Sequence, residues 1–287
     1  MKLSRVAWAA WAVVPVAGLA YHFGPGQRAY AQERAVNLHQ EVALLEEQAE
    51  AAQRAAYAKH LEALAVRRAA AASPTPESEA KSRAAAAVEQ QAFEKASAAW
   101  MQVADAWGRI QELARGVSED TLWRVRWSRS RALVRAGDIW TGIAELESIL
   151  GQLEQAGKLD LPAGLATREE LASAYYYGAR LMRLSGDPPE EWLIESGKAR
   201  QHFRYLAEKM RGDAHMPKAA ANQQRNVELV LDLEQNSLLD IQGKPLPKDS
   251  PLGRKGRRPG QEGQGHRQPR ERDGRGAGGA EEITSGW

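Results

Sequence analysis

Histidine is the residue type in this chain best suited to metal binding or proton transfer, and its spacing favours neither. No two histidines stand three or four residues apart, the separation that would place both rings on one helix face. The chain contains His22, His39, His60, His202, His215 and His266, and no cysteine. Disulfides, thiolate metal sites and cysteine nucleophiles are therefore excluded. Because no phosphate-binding loop, H-E-x-x-H motif or recognisable triad spacing is present either, the sequence predicts a non-enzymatic protein without metal or cofactor.

One polar cluster could still form a pocket. His202, Arg204 and Tyr205 follow one another closely, and Lys198 precedes His202 by about one helical turn. The simpler alternative is a structural histidine on a helix that packs against its neighbours.

Cationic side chains are densest on one predicted helix. Five arginines alternate there with two tryptophans, namely Arg124, Arg126, Arg129, Arg131 and Arg135 with Trp123 and Trp127. This face could bind an acidic partner or a phosphate. Alternatively, the arginine stems cover apolar surface and their guanidinium groups pair with Glu145 and Glu147 on the neighbouring helix.

Three successive tyrosines, Tyr175, Tyr176 and Tyr177, must point in different directions around a helix. At least one of them is therefore expected to face outward or into a groove, where tyrosine is a common contact residue. The candidate protein-binding residues are Arg124, Arg131 and Tyr176.

Composition and charge narrow the classes of partner. The chain has 287 residues, 39 Lys and Arg against 37 Asp and Glu, and a net charge of +2. A balance this close does not indicate a nucleic-acid partner. The charge is unevenly spread, because residues 241–287 contain ten Lys and Arg, six Asp and Glu, 11 glycines and five prolines. We expect this tail to be disordered, with a basic cluster at 254–258 that could bind an anionic polymer or lipid.

The amino terminus has the pattern of a membrane anchor. Lys2 and Arg5 precede an uncharged run of 18 residues, 6–23, which as a helix would extend about 27 Å. The two cations favour a cytoplasmic start and place the rest of the chain outside the cytoplasm, in the periplasm if the cell is bacterial. We predict an uncleaved anchor over residues 1–27. The alternatives are cleavage after Ala31, at an A-x-A site, and a buried helix of a soluble protein.

Residues 28–72 predict one long helix, because they lack glycine and proline and are rich in strong helix formers. We assign this helix, with the short turn that follows it, to a domain of residues 28–76. A heptad pattern runs through it, with one apolar position formed by Ala35, Val42, Ala49, Ala56, Ala63 and Ala70 and the other by Ala31, Leu38, Leu45, Ala52, Lys59 and Val66. This stripe predicts packing against the next helix of the same chain, or alternatively a coiled-coil dimer through residues 28–72.

Residues 77–240 predict further helices. Thr75 and Pro76 favour a new helix start, and a stripe at helical spacing follows, which predicts a core-facing side: Phe93, Ala96, Trp100, Val103, Trp107, Ile110, Ala114 and Val117. Turn and capping signals predict later helices at 121–136, 139–156, 167–184, 189–210 and 217–240. Ser118, Asp187 and the Thr167/Glu170 capping box are the expected caps. The fold class is all-α.

An internal repeat groups these helices into hairpins. The segments 133–138 and 181–187 share a Leu-x-Arg pattern and each ends in Gly-Asp, with the two Gly-Asp pairs 49 residues apart. With Gly137 at the turn, Gly142, Ile143 and Leu146 occupy small and apolar positions. This pattern resembles the tetratricopeptide-repeat superfamily, which implies helix pairs stacked into a solenoid with a protein-binding concave face.

A second resemblance concerns residues 231–248, where a helix ends and a Gly/Arg/Pro-rich tail follows. This segment is similar to anchored helical-repeat proteins that accompany von Willebrand A-domain proteins and MoxR-type ATPases, which would then be partners. The sequence thus predicts a membrane-anchored helical-repeat scaffold that holds protein partners outside the cytoplasm. The alternatives are a coiled-coil envelope tether and an anionic-polymer or lipid-surface binder acting through the tail.

Overall fold

The computed structural model describes residues 13–16, 18–19, 21, 25–113, 118–212, 217–237, 241, 246–247 and 279–280. For residues 25–37 and the last two pairs, only the backbone is described. Seven long helices lie in this part of the chain: α1 Pro25–Ala72, α2 Pro76–Leu113, α3 Glu119–Ala136, α4 Ile139–Gln155, α5 Pro162–Leu184, α6 Pro189–Arg211 and α7 Pro217–Gln235. Two-residue strands, β1 Leu246–Pro247 and β2 Gly279–Ala280, pair in parallel. The predicted all-α class is confirmed.

The two chain ends are only partly described. No helix within the described residues combines the length and the apolar character that crossing a bilayer requires. The predicted anchor, 1–27, falls largely outside these residues; within it, 13–16, 18–19, 21 and the start of α1 are helical. Most of the predicted disordered tail, 241–287, also lies outside the described residues.

Consecutive helices pack side by side and run antiparallel. Ser97 of α2 meets the end of α3, where its Oγ donates a 2.6 Å hydrogen bond to the carbonyl of Ala136. Because consecutive helices alternate in direction, α3, α5 and α7 run parallel to one another. Polar contacts join them: the Nε of Arg131 lies 3.9 Å from Glu170, and Gln223 donates a 2.7 Å hydrogen bond to Glu169. The stack of neighbouring helices is therefore compatible with a helical-repeat fold.

One position of the predicted heptad forms the α1–α2 interface. Val42, Ala49, Ala56 and Ala63 are buried against α2, whereas the members of the other position whose side chains are described, from Leu38 to Val66, are only half-buried. Alanine at successive turns permits close approach of the two helices, and Phe93 and Trp100 of α2 fill the space between them. The prediction that α1 packs within its own chain is confirmed.

The predicted aromatic stripe of α2 is buried along most of its length. Phe93, Trp100, Val103 and Ile110 are each at most 2% exposed, which confirms that this side of α2 faces the core. Trp107 differs, because it is only partly buried and lies at the edge of the cluster, donating a 3.1 Å hydrogen bond from Nε1 to Glu46. Ala114 and Val117 fall outside the described residues.

Both repeated Gly-Asp pairs form the same helix-ending turn. Gly137 and Gly186 adopt positive φ angles of 98° and 79°, which non-glycine residues rarely do. The amide of Asp138 bonds the carbonyl of Leu133 at 3.0 Å, and the amide of Asp187 bonds that of Met182 at 3.0 Å, the six-residue closure of a Schellman motif. The sequence repeat is therefore a repeat of backbone geometry.

The structure corrects two predicted caps. Helix α5 begins at Pro162, five residues before the predicted start, because proline is well placed in a first helical turn. Thr167 is thus inside the helix, where its Oγ1 donates to the carbonyl of Ala163 at 2.8 Å. Asp187 makes no cap either, since α6 follows Pro188. Ser118 caps α3 as predicted, accepting a 3.3 Å hydrogen bond from the amide of Thr121.

Close packing in the α3–α4 hairpin depends on Gly142. A Cβ at this position would lie 2.5 Å from Cγ2 of Val134 and 2.9 Å from the carbonyl oxygen of Ser130. We expect Gly142→Ala to lower the free energy of unfolding by about 1 to 3 kcal/mol, since the hairpin must open to relieve the overlap. Urea denaturation measures this loss.

Gly151, on the same helix, is the matched control. A Cβ there would meet no atom within 4 Å, so Gly151→Ala should leave stability unchanged or raise it by up to about 1 kcal/mol through helix propensity. Equal effects of the two substitutions would contradict the close contact at Gly142.

Candidate functional site

Helix α3 carries the candidate interaction surface, which we call the α3 face: Trp123, Arg124, Trp127 and Arg131. The centroids of the two indole rings are 6.3 Å apart, and Trp123 donates a 3.1 Å hydrogen bond from Nε1 to Thr167 of α5. The guanidinium of Arg131 lies 5.5 Å from the ring of Trp127. These contacts hold both tryptophans in position, and both residues are half-buried.

Arg124 leaves binding capacity on this face. Arg124 is exposed and makes no ion pair or hydrogen bond with any other described residue. The Nε1 of Trp127 also has no acceptor among the described side chains and backbone atoms, but it is buried and therefore closed to a partner. An acidic or carbonyl-rich partner could pair with Arg124, because carboxylate and carbonyl oxygens accept hydrogen bonds from a guanidinium.

The other predicted arginines serve the packing of the stack. Arg126 donates to Gln152 at 2.7 Å and to Ser148 at 3.3 Å, and Arg129 pairs with Glu145 of α4. Arg135 lies over the ring of Trp100, with its guanidinium 4.8 Å from the centroid. The predicted pairing with Glu145 is thus confirmed for Arg129, whereas Glu147 accepts a hydrogen bond from Tyr175 instead.

The prediction that one tyrosine faces outward is wrong. Tyr175, Tyr176 and Tyr177 are 3%, 2% and 2% exposed, because α5 is enclosed by α3, α4, α6 and α7. Tyr176 therefore belongs to the core and cannot contact a partner in this conformation. Its ring lies edge-to-face against Tyr177, 6.2 Å between centroids.

Arg180 was not singled out in the sequence, although it is the most deeply buried cation described. It is 1% exposed and donates a 2.6 Å hydrogen bond to the carbonyl of Ile241, which is itself buried. Burial lowers the pKa of its guanidinium, and Tyr176 partly opposes that effect. Arg180 fastens the segment after α7 to α5. A single arginine in an apolar helix gives no local signal of such a contact.

The side chains around His202, which could have formed a polar pocket, pack against one another in a cluster between α5 and α6. His202 stacks on Tyr175 with ring centroids 5.9 Å apart, and Arg168 of α5 lies 3.1 Å from its Nδ1. Lys198 lies 4.9 Å from the Tyr175 ring. Arg204 does not join the cluster, because it is exposed on another side of α6.

A second set of polar contacts extends this cluster to the loop before α5. Asp160 accepts hydrogen bonds from Lys209, at 2.7 Å, and from Tyr205. These two bonds lower the pKa of the Asp160 carboxyl, and the bond to Asp160 raises the pKa of both Tyr205 and Lys209. The contacts are exposed, so their role is to hold α6 against the loop at modest energetic benefit.

Protonation of His202 should destabilise the fold. Burial, followed by the charges of Arg168 and Lys198, lowers the pKa of its imidazole to about 4. Between pH 6.5 and 4 the unfolded chain therefore binds a proton that the folded chain does not, and stability falls as the pH falls. We expect this group to cost about 2 to 3 kcal/mol at pH 4 relative to pH 7.5.

His202→Gln isolates that contribution, because glutamine keeps an acceptor for Arg168 but does not titrate. Urea denaturation at pH 7.5 and pH 4.5 should show a smaller loss of stability in the variant than in the wild type. An identical pH dependence in both proteins would contradict the assignment.

No three histidine or acidic side chains in the described part of the chain are grouped so that they could hold a metal ion. Comparison with known proteins adds no identification: no family model, curated protein or solved structure matches the chain.

Proposed function

We propose that this protein is a non-enzymatic, membrane-anchored scaffold of tetratricopeptide-like hairpins that binds a protein partner outside the cytoplasm. The observation that carries the proposal is the α3 face, where exposed Arg124 lies beside two tryptophans held in position by neighbouring helices. Arginine and tryptophan are the residue types most enriched in interface hot spots. The resemblance of residues 231–248 suggests von Willebrand A-domain or MoxR-type proteins as partners.

Two features support the anchor. Val13, Val14, Val16 and Leu19 are 56–69% exposed, and such side chains are stabilised by lipid or another apolar environment. Helix α1 begins directly after this segment, at Pro25, and continues to Ala72. The Ala29-Tyr30-Ala31 sequence therefore lies in helical backbone, whereas proteolysis prefers exposed loops.

A continuous α1 would set the position of the scaffold. Its 48 residues correspond to about 72 Å at 1.5 Å per residue. Because Glu41 pairs with Arg109 near the end of α2, the stacked hairpins begin some way along this rod. The α3 face would then be held away from the lipid surface, accessible to a partner.

Partner capture from membranes tests the proposal. We expect Arg124→Glu, alone or with Arg131→Glu, to abolish capture of the partner that the wild type retains, because charge reversal opposes an acidic surface. Arg204→Glu is the matched control, since Arg204 is an exposed arginine on α6. Thermal unfolding of each variant separates lost binding from lost folding, which matters for Arg131 because of its contact with Glu170.

A variant ending at Gln242 distinguishes the alternative, because it removes the basic tail but keeps Ile241, whose buried carbonyl accepts a hydrogen bond from Arg180. If truncation abolishes capture and reversal at Arg124 has no effect, the basic tail is the binding element and the helical stack is a spacer. Intact mass spectrometry tests the anchor independently: a mature chain beginning at Gln32 would show that the segment is removed.

A further inference from the structure

Any self-association through α1 must use its outward side. The predicted dimer would have used the stripe of Val42, Ala49, Ala56 and Ala63, but that stripe is buried against α2. The opposite side of α1 remains available. Its large apolar side chains include Leu44 and Leu61, which are 60% and 48% exposed.

Charge is strongly divided along residues 38–72 of α1. From Leu38 to Gln53 the helix has four glutamates and no lysine or arginine, whereas from Arg54 to Ala72 it has four lysines and arginines and one glutamate. Two of these charges are exposed and make no ion pair with another described residue: Glu47 in the acidic half and Arg68 in the basic half. The helix is therefore complementary to a second copy of itself in the reversed direction.

We propose that two copies of this chain associate through the outward sides of their α1 helices, packed antiparallel. In this arrangement the acidic half of each helix faces the basic half of the other, twice by symmetry. A parallel pair would instead oppose like charges along the whole interface. The second copy also covers Leu44 and Leu61, which removes apolar surface from water.

The charges define the alignment. If Glu47 of each copy faces Arg68 of the other, the helices cross at the midpoint, next to Ala58, whose side chain is exposed. The two α1 amino termini then lie at opposite ends of the pair. Both anchors can enter one bilayer only if the paired helices lie along its surface, so an α1 that holds the α3 face away from the lipid applies only to a single copy. The inference does not depend on the proposed function, because it concerns α1 and not the α3 face.

Single cysteine substitutions test the alignment cleanly, because the chain has no cysteine of its own. In the full-length protein in detergent micelles, Ala58→Cys should form an intermolecular disulfide on mild oxidation, since the two Cα atoms meet at the crossing. Ala69→Cys, equally exposed on α1, should not, because its two copies would be about 35 Å apart. Cross-linking of both variants, or of neither, would overturn the antiparallel pair.

Charge reversal provides the second test, with sedimentation of the full-length protein as the readout. Glu47→Lys or Arg68→Glu alone should raise the dimer dissociation constant about tenfold, and the double variant should restore it. Glu190→Lys, an exposed reversal on α6, should have no effect. A monomeric wild type, or single variants that dimerise as the wild type does, would refute the proposal.

Discussion

Replacing Trp100 by alanine is expected to lower the free energy of unfolding by about 3 to 5 kcal/mol. Trp100 is 1% exposed and belongs to the cluster that joins three helices, with Val42 of α1, Val103 of α2 and Val125 of α3. Its removal leaves a cavity at their junction and also takes away the ring on which the Arg135 guanidinium rests. Equilibrium denaturation in urea measures the loss.

Trp107→Ala is the matched control because it removes the same side chain from the same face of α2. Trp107 is only partly buried, and its contacts are the hydrogen bond to Glu46 and an edge-to-face contact with His39 at 5.6 Å. We expect a loss of at most about 2 kcal/mol. If both substitutions cost the same, the distinction between the centre and the edge of the stripe is wrong.

Substitution of Glu89 should have an effect of similar size, for an electrostatic reason. Its carboxylate lies in the α1–α2 interface with 4% side-chain exposure, bonded to His60 at 2.6 Å and to Arg67 at 2.9 Å. Glu89→Ala leaves the guanidinium of Arg67 in a poorly hydrated site without its carboxylate. We expect about 3 to 5 kcal/mol of destabilisation, the usual result of removing one member of a buried ion pair.

Glu94→Ala separates this contribution from a general effect of losing a glutamate in α2. Glu94 is exposed and accepts a 3.1 Å hydrogen bond from Gln90 of its own helix, so its loss should change stability by less than about 0.5 kcal/mol. Thermal and urea unfolding of both variants provide the comparison. A Glu89 variant as stable as the Glu94 variant would show that the buried bonds contribute little.

Features of the chain that depend on neighbouring residues were predictable from the sequence. Several of them occur at the positions that the sequence indicates: the start of α2 at Pro76, the Ser118 cap, and the turns at Gly137 and Gly186. The reason is that a helix start or end is determined by backbone bonds within about six residues. The same local logic failed at Thr167, because Pro162 offered an earlier helix start.

Hydrophobic spacing predicted which side of α1 and α2 is buried, since a stripe must be covered by something. It could not decide between a neighbouring helix and a second chain. The α3 face shows the same division: the sequence located its arginines and tryptophans, but not which arginine stays exposed. Contacts with α2, α4 and α5 occupy Arg135, Arg129 and Arg131, and leave Arg124 open.

The sequence by itself determined the helical class, the order of most helices and the turns between the repeated hairpins, because each of these depends on local bonds and periodicity. Only the tertiary structure decided the burial of Tyr176, the role of Arg180 and the bonding of Glu89 to His60. The partners in these contacts are 29 to 61 residues apart or lie on other helices. Their meeting depends on how the helices stack, which no local pattern specifies.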